Sequence, residues 1–188
     1  NQDTFQRRVE PHNIRFVAMS DFGPDLPGVL TAFPSPDVAN SLVQTLCPLK
    51  QLYVAESEKF AHVTYFLNGG YAEHFCDEEW IKIESDHVKD FTTKPKMKAS
   101  EIADTICAAL EKNSYDFIAA NFANADMLGH TGNFMAAKIG VTAIDEALFR
   151  VAAEAKKVGA TFIITADHGN AEEMIKKAIE FADSERVR

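Results

Sequence analysis

Short apolar runs that end abruptly in polar residues alternate with helical patterns along this chain. The apolar runs are residues 14–19, 51–55, 116–122 and 160–165. Helical spacing of apolar residues fills the stretches 100–112 and 134–157, and Gly159 is placed to end the second stretch. Strands that alternate with helices form parallel sheets whose faces the helices cover. The pattern therefore predicts an α/β fold with a mainly parallel sheet flanked by helices.

Capping and periodicity signals predict the remaining elements. A helix is expected to begin at Pro36, and Ser100 is the predicted N-cap of the next helix. Residues 60–67 fit either a helix or a strand, because the spacing of their apolar residues does not distinguish the two. The alternation over residues 80–84 favours a short, half-exposed strand. Residues 173–188 have the apolar spacing of an amphipathic terminal helix.

Composition narrows the classes of protein that need to be considered. The chain has 188 residues, of which 46% are hydrophobic, so it can build one sizeable core, and a single domain over residues 1–188 is predicted. The net charge is -9 and the basic residues are scattered, which argues against a nucleic-acid partner. No apolar run approaches the roughly 18 residues of a membrane-spanning helix, so no membrane partner is expected.

The cysteines and the first residues indicate the compartment. Cys47, Cys76 and Cys107 are odd in number and widely spaced, so neither a disulfide framework nor a zinc–thiolate site is predicted. Buried or half-buried thiols in a reducing compartment are expected instead. The polar stretch 1–10 lacks the apolar segment of a signal peptide. We therefore expect a cytoplasmic protein.

An aspartate and a histidine stand side by side where the last apolar run ends. Asp167 and His168 follow residues 160–165, and ligands of open α/β sheets bind beyond the carboxyl ends of the strands. A carboxylate oxygen together with an imidazole suits a divalent metal ion. The alternative is a helix cap next to a surface histidine. This pair alone does not decide between them.

A second aspartate–histidine pair follows the apolar run 116–122. Asp126 and His130 are four residues apart, so on a helical turn both side chains lie on one face. Either pair alone is more simply explained by caps or surface groups. Two pairs at equivalent positions beyond neighbouring strands favour two adjacent metal ions, an arrangement that stabilises the attacking and leaving oxygens in phosphoryl transfer.

Lys59 lies in the same region, beyond the strand predicted over residues 51–55. Its ammonium group would supply a point positive charge for a phosphate. The alternative is a salt bridge with Glu56 or Glu58. His62, three residues further along, is interpreted as a packed or hydrogen-bonded side chain and not as a ligand.

Three long motifs resemble the cofactor-independent phosphoglycerate mutases. They run from Gln51 to Thr64 with Asn68-Gly69-Gly70 after it, from Tyr115 to Gly132, and from Ile164 to Met174, in the family's order. The resemblance implies an alkaline-phosphatase-like α/β domain with two divalent metal ions, commonly manganese, with magnesium, cobalt or zinc as alternatives. It implies Asp126 and His130 as ligands of one ion, Asp167 and His168 as ligands of the other, and Lys59 as the substrate-binding lysine beside the phosphate.

Several functional parts of the resembled family have no match in this sequence. The segment with a metal-binding aspartate and the nucleophilic serine, the transferase domain, and a further ligand histidine have no counterpart in these residues. The chain thus resembles the C-terminal part of the phosphatase domain, and the missing part of the parent enzyme is an expected partner. No catalytic residue is assigned within it. Weak metal binding and no mutase activity are expected of these residues alone.

The family's reaction interconverts 3-phosphoglycerate and 2-phosphoglycerate in glycolysis through a phosphoserine intermediate, so a small phosphorylated substrate is expected. Two other functions fit the same motifs. One is another metal-dependent phosphatase or sulfatase-like hydrolase of the alkaline phosphatase superfamily. The other is a non-catalytic metal-binding or assembly module that retains the ligands.

Overall fold

All strand pairs in the described chain are parallel. The computed structural model describes residues 13–20, 28–34, 36 and 38–172, and the chain divides into two compact units with the boundary between Val38 and Ala39. In the first unit, β1 (Val17–Ala18) pairs with β2 (Leu30–Thr31). The strand predicted over residues 14–19 is therefore reduced to two residues.

A three-stranded parallel sheet forms the centre of the second unit. Its strands are β3 (Gln51–Glu56), β4 (Glu79–Ile83) and β5 (Phe117–Asn121), in the order β4-β3-β5. All six residues of β3 are buried, as expected for a central strand between two neighbours. In register, Tyr53 lies opposite Trp80 on one side and Ala119 on the other. The predicted parallel sheet and the predicted short strand near residues 80–84 are both confirmed.

One α-helix connects β4 to β5, and the other α-helices precede β3 or follow β5. The α-helices are α1 (Leu42–Thr45), α2 (Ala99–Lys112), α3 (Asn124–Gly129) and α4 (Phe134–Val158). Two 3₁₀ turns (Ser57–Lys59 and Phe91–Thr93) and a π-helical turn (His62–Phe66) complete the elements. The ambiguous segment 60–67 is therefore helical. Within the described residues, no helix is long and apolar enough to cross a bilayer.

The alternation of side chains along β3 separates two hydrophobic layers. Leu52 and Val54 pack against α2 and α4, in a cluster that includes Ile102 and Val151. Tyr53 and Ala55 point to the other face, where they pack with Val43, Val63 and partly buried aromatic side chains. Because successive strand residues point to opposite faces, one buried strand holds both layers together.

Two predicted helix starts are wrong. The first helix begins at Leu42, where Ser41 caps it and Gln44 completes a capping box, and not at Pro36. The N-cap of α2 is Lys98, two residues before the predicted Ser100. The long helix α4 matches its prediction closely, and Gly159 ends it in the left-handed conformation with φ of 73°.

The strand predicted over residues 160–165 is also wrong. The segment forms no strand within the described chain, and Ile163 is 79% exposed and Ile164 65% exposed. An apolar, β-branched run becomes a buried strand only when a neighbouring strand and a packing layer cover it. The sheet ends at β5 among the described residues, so this run has no such neighbour there. The terminal helix predicted over residues 173–188 lies outside the described residues.

Cys47 and Cys76 form a disulfide, contrary to the expectation of free thiols. Their Cα atoms are 5.4 Å apart, an ordinary separation for a disulfide, whereas Cys107 is free. The two cysteines are 29 positions apart. Sequence spacing did not reveal the pair, because the fold brings together the turn after α1 and the loop before β4.

Removing this disulfide should destabilise the chain. Closing a loop of this length lowers the entropy of the unfolded chain, so we expect Cys76→Ser to lose about 3 to 4 kcal/mol of unfolding free energy. Urea unfolding with and without dithiothreitol measures the effect. The Cys107→Ser variant keeps the disulfide and should retain the wild-type response to reductant. Equal stability of that control in both conditions would contradict the prediction.

The last residue of β3 is a buried carboxyl group. Glu56 is fully buried, and its Oε2 accepts a hydrogen bond of 3.0 Å from the Ser85 hydroxyl. Its Oε1 has no hydrogen-bond partner within the described part of the chain. Burial raises the pKa of Glu56, and the Ser85 hydrogen bond offsets only part of that rise.

Glu56 should make stability depend on pH. The folded chain binds this proton more tightly than the unfolded chain, whose carboxyl group has a pKa near 4.5. Any stabilisation from Glu56 is therefore complete below that pKa and falls as pH rises towards the raised folded value. We expect Glu56→Gln to gain in stability relative to wild type between pH 4.5 and pH 7.5 in urea unfolding. Glu58→Gln, at the exposed neighbouring position, is the matched control, and a pH-independent difference for Glu56→Gln would disprove the assignment.

A candidate metal centre at the carboxyl ends of the sheet

The carboxyl ends of β3 and β5 lie at the same edge of the sheet, because the two strands are parallel neighbours. Beyond β3 the chain enters the 3₁₀ turn that carries Lys59. Beyond β5 it enters α3, which carries Asp126 and is followed directly by His130. The sheet topology thus brings together two motifs that are 67 residues apart in the sequence.

Lys59 and Asp126 form a buried ion pair at this edge. The Lys59 ammonium group donates to Oδ2 of Asp126, and the two side chains are only 7% and 16% exposed. The ion pair of Lys59 is therefore with the predicted metal ligand, and not with Glu56 or Glu58 as the alternative had it. The hydrogen bond from Lys59 lowers the pKa of Asp126 and so favours the ionised carboxylate.

Two predicted ligand histidines surround the other oxygen of the same carboxylate. Nε2 of His130 lies 3.1 Å from Oδ1 of Asp126, and Nε2 of His168 lies 3.9 Å from it. His130 and His168 are 72% and 47% exposed, so both imidazoles are open to solvent. The two predicted aspartate–histidine pairs therefore meet at Asp126.

Asp167 completes the group of predicted residues. Its Oδ2 lies 4.0 Å from Nε2 of His168 and 3.9 Å from Nε2 of His62. The structure thus places all five predicted site residues at one edge of the sheet: Lys59, Asp126, His130, Asp167 and His168. We call these five residues the site cluster.

Asn170 contributes a contact that the sequence analysis missed. Its Nδ2 donates to both the backbone carbonyl and Oδ1 of Asp126, which ties the Asp167-His168 segment to α3. A Cβ at Gly129 would lie 2.7 Å from Oδ1 of Asn170, so only glycine permits this approach. The available signal was the position of Asn170, two residues after His168 within the same motif.

Burial, hydrogen bonds and nearby charges shift two pKa values at this edge of the sheet. Burial alone would raise the pKa of Asp126, but hydrogen bonds from Lys59 and Asn170 lower it to about 2. Burial, together with the nearby Lys59 ammonium group, lowers the pKa of His62. At neutral pH the site therefore contains an ionised Asp126 and a neutral His62 imidazole.

The donors of the site cluster suit a divalent metal ion in chemistry and in pairwise spacing. Two donors bound to the same ion lie about 3 to 4 Å apart, which matches the separations of Asp126 from His130 and from His168. Within the described residues, however, no three carboxylate, imidazole or thiolate side chains converge on one point. The residues fit a metal centre whose side chains must rearrange when the ion binds.

Comparisons with known proteins show the family to which this chain belongs. The family model of the metalloenzyme superfamily matches residues 25–181. The 2,3-bisphosphoglycerate-independent phosphoglycerate mutases of Shewanella pealeana and Shewanella halifaxensis are 44% and 42% identical to this chain over 174 residues, or 92% of its length. Those 174 residues are 34% of each relative, so the chain spans about one third of their length.

A solved structure supports the same relationship. The structure of Leishmania mexicana phosphoglycerate mutase at low cobalt concentration matches with a TM-score of 0.78 and 32% identity, covering 90% of this chain and 32% of that one. The parallel sheets, the flanking helices and the alkaline-phosphatase-like fold are shared over this part. The chain belongs to the metalloenzyme superfamily, and the relatives it matches over nearly all its length are cofactor-independent phosphoglycerate mutases.

Proposed function

We propose that this chain carries part of the phosphoryl-transfer centre of a cytoplasmic phosphoglycerate mutase. The complete enzyme would interconvert 3-phosphoglycerate and 2-phosphoglycerate in glycolysis through a phosphoserine intermediate. The observation that carries the proposal is the meeting of the five site-cluster residues at one edge of the sheet, in a chain whose relatives are such mutases. Residues 1–188 would form one portion of the phosphatase domain.

The site cluster supplies ligands of the right types for two divalent cations. Asp126 and His130 would bind one ion, Asp167 and His168 the other, with manganese as the first choice. When bound, such ions polarise the phosphoryl group and lower the pKa of the attacking hydroxyl group. Because Asp126 lies within 4 Å of both histidines, the two ion positions would be adjacent.

Lys59 would position the phosphate of the substrate. Its ammonium group is held by Asp126, so it has less rotational freedom than the ammonium group of an exposed lysine. A fixed positive charge at this edge attracts a phosphate anion and holds it beside the ion positions. The same ion pair keeps Asp126 ionised, which a metal ligand requires.

Metal binding should depend on the two exposed histidines. We expect Mn²⁺ titration of the 188-residue chain by calorimetry to give measurable binding, and His130→Ala and His168→Ala each to weaken it by about tenfold or more. Both side chains are well exposed, so neither change should affect folding. The matched control is His87→Ala, an exposed histidine of the loop after β4.

Two outcomes would contradict this assignment. One is an absence of Mn²⁺ binding to the folded wild-type chain. The other is binding that is unchanged in both histidine variants, which would make the aspartate–histidine pairs structural.

We expect the 188 residues alone to have no mutase activity. The resemblance places the phosphate-accepting serine outside the motifs that these residues match, so the site cluster can bind metal and phosphate but has no assigned nucleophile. ³¹P NMR of 3-phosphoglycerate incubated with the Mn²⁺-loaded chain measures both possible products. A 2-phosphoglycerate signal at the rate of a complete mutase would refute this expectation, and release of inorganic phosphate would favour a hydrolase.

A further inference from the structure

His62 is an imidazole beside the site cluster to which the family resemblance gives no role. It lies in the π-helical turn three residues after Lys59, so both side chains project towards the same edge of the sheet. Its Nε2 lies 3.9 Å from Oδ2 of Asp167. The Phe66 ring packs edge-on against the imidazole, with the ring centroids 5.3 Å apart.

The His62 ring presents one defined nitrogen to Asp167. Nδ1 is buried and has no hydrogen-bond partner among the residues that the structure describes. Nε2 is therefore the nitrogen that faces the carboxylate. Because an ionised carboxylate can only accept hydrogen bonds, Nε2 must be the donor when the two groups meet. Each oxygen of Asp167 still has a lone pair left for a cation.

Asp167 needs an external support because its own segment provides little. The preceding residues 161–166 are exposed and belong to no helix or strand in the described chain. The side chain of Asp167 is 45% exposed, and the backbone N–H of His168 donates to its Oδ1 over 3.2 Å. His62, by contrast, is anchored through its helical turn to the buried strand β3.

We propose that His62 is a positioning residue whose Nε2–H holds the Asp167 carboxylate in the orientation that a divalent cation requires. The inference rests on the proposed function, because it presupposes that Asp167 binds a metal ion. Carboxylate ligands are commonly held by such outer hydrogen bonds, and losing one typically costs 10- to 100-fold in metal affinity. The proposal requires the 3.9 Å separation to shorten to hydrogen-bonding distance when the ion binds, as is common for hydrogen bonds at sites without their ligand.

Co²⁺ titration of the 188-residue chain tests the proposal, followed by calorimetry and by the visible absorption of the bound ion. We expect His62→Phe, which keeps an aromatic ring against Phe66, to weaken binding by about tenfold or more. His62→Gln retains an N–H donor and should keep most of the affinity. The matched control His87→Phe should bind as wild type does. In an Asp167→Asn background, His62→Phe should have little further effect.

The outcomes separate this inference from the proposed function. If the wild-type chain binds no Co²⁺, both are overturned. If the wild type binds and His62→Phe binds equally tightly, only the role of His62 is overturned. If His62→Gln loses as much affinity as His62→Phe and changes the absorption bands, His62 is itself a ligand, and the positioning role is wrong. Far-UV circular dichroism and metal-free unfolding midpoints verify that each variant is folded.

Discussion

The parallel pairing of β3 with β5 is the constraint on which the candidate site depends. It aligns the two strand ends, so that the 3₁₀ turn after β3 and helix α3 after β5 begin side by side. Sliding this register by one residue would turn the buried side chains of β3 to the opposite faces, and both hydrophobic layers would lose their contacts. The same packing that stabilises the fold therefore fixes the distance between Lys59 and Asp126.

The Lys59–Asp126 ion pair gains from this fixed geometry. Removing two charges from water is costly, and attraction repays the cost only when the partners are close and further hydrogen bonds satisfy them. Here Asn170 supplies such a bond to the carboxylate, and Gly129 leaves the space for it. The pair holds an ammonium group and a carboxylate in fixed positions at an edge where the imidazoles of His130 and His168 are exposed. This is a suitable starting point for binding cations and a phosphate together.

Much of this arrangement could be predicted from the sequence, for physical reasons. Central strands that are buried on both faces read as apolar runs, and long amphipathic helices such as α4 carry clear periodicity and a glycine stop. The meeting of Lys59, Asp126 and His130 was predictable, because these residues follow β3 and β5, whose carboxyl ends lie at one edge of the parallel sheet. Asp167 and His168 lie at the same edge although the apolar run before them forms no strand in the described chain. The sequence signal for a helix start is weaker: Ser100 is the predicted N-cap of α2, whereas Lys98 occupies that position.

Long-range relations account for the other errors. The apolar composition of residues 160–165 does not reveal whether a neighbouring strand covers them. The spacing of Cys47 and Cys76 does not reveal that the fold brings them within bonding distance. The contact between His62 and Asp167 was missed for the same reason, since these residues are far apart in sequence and carry no shared pattern.

The candidate site has two parts with different mechanical support, and this difference bears on its metal affinity. Asp126 lies in α3, which packs tightly against α4, where a Cβ at Gly140 would lie 2.2 Å from the Leu128 side chain. Asp167 and His168 follow an exposed segment without helix or strand structure, and Asn170 ties this part of the chain to α3. The ion assigned to Asp167 and His168 would be held by the less supported part, and any cost of fixing that part is subtracted from the binding free energy. The expected weak metal binding of these residues thus has a physical cause in the uneven support of the two aspartates.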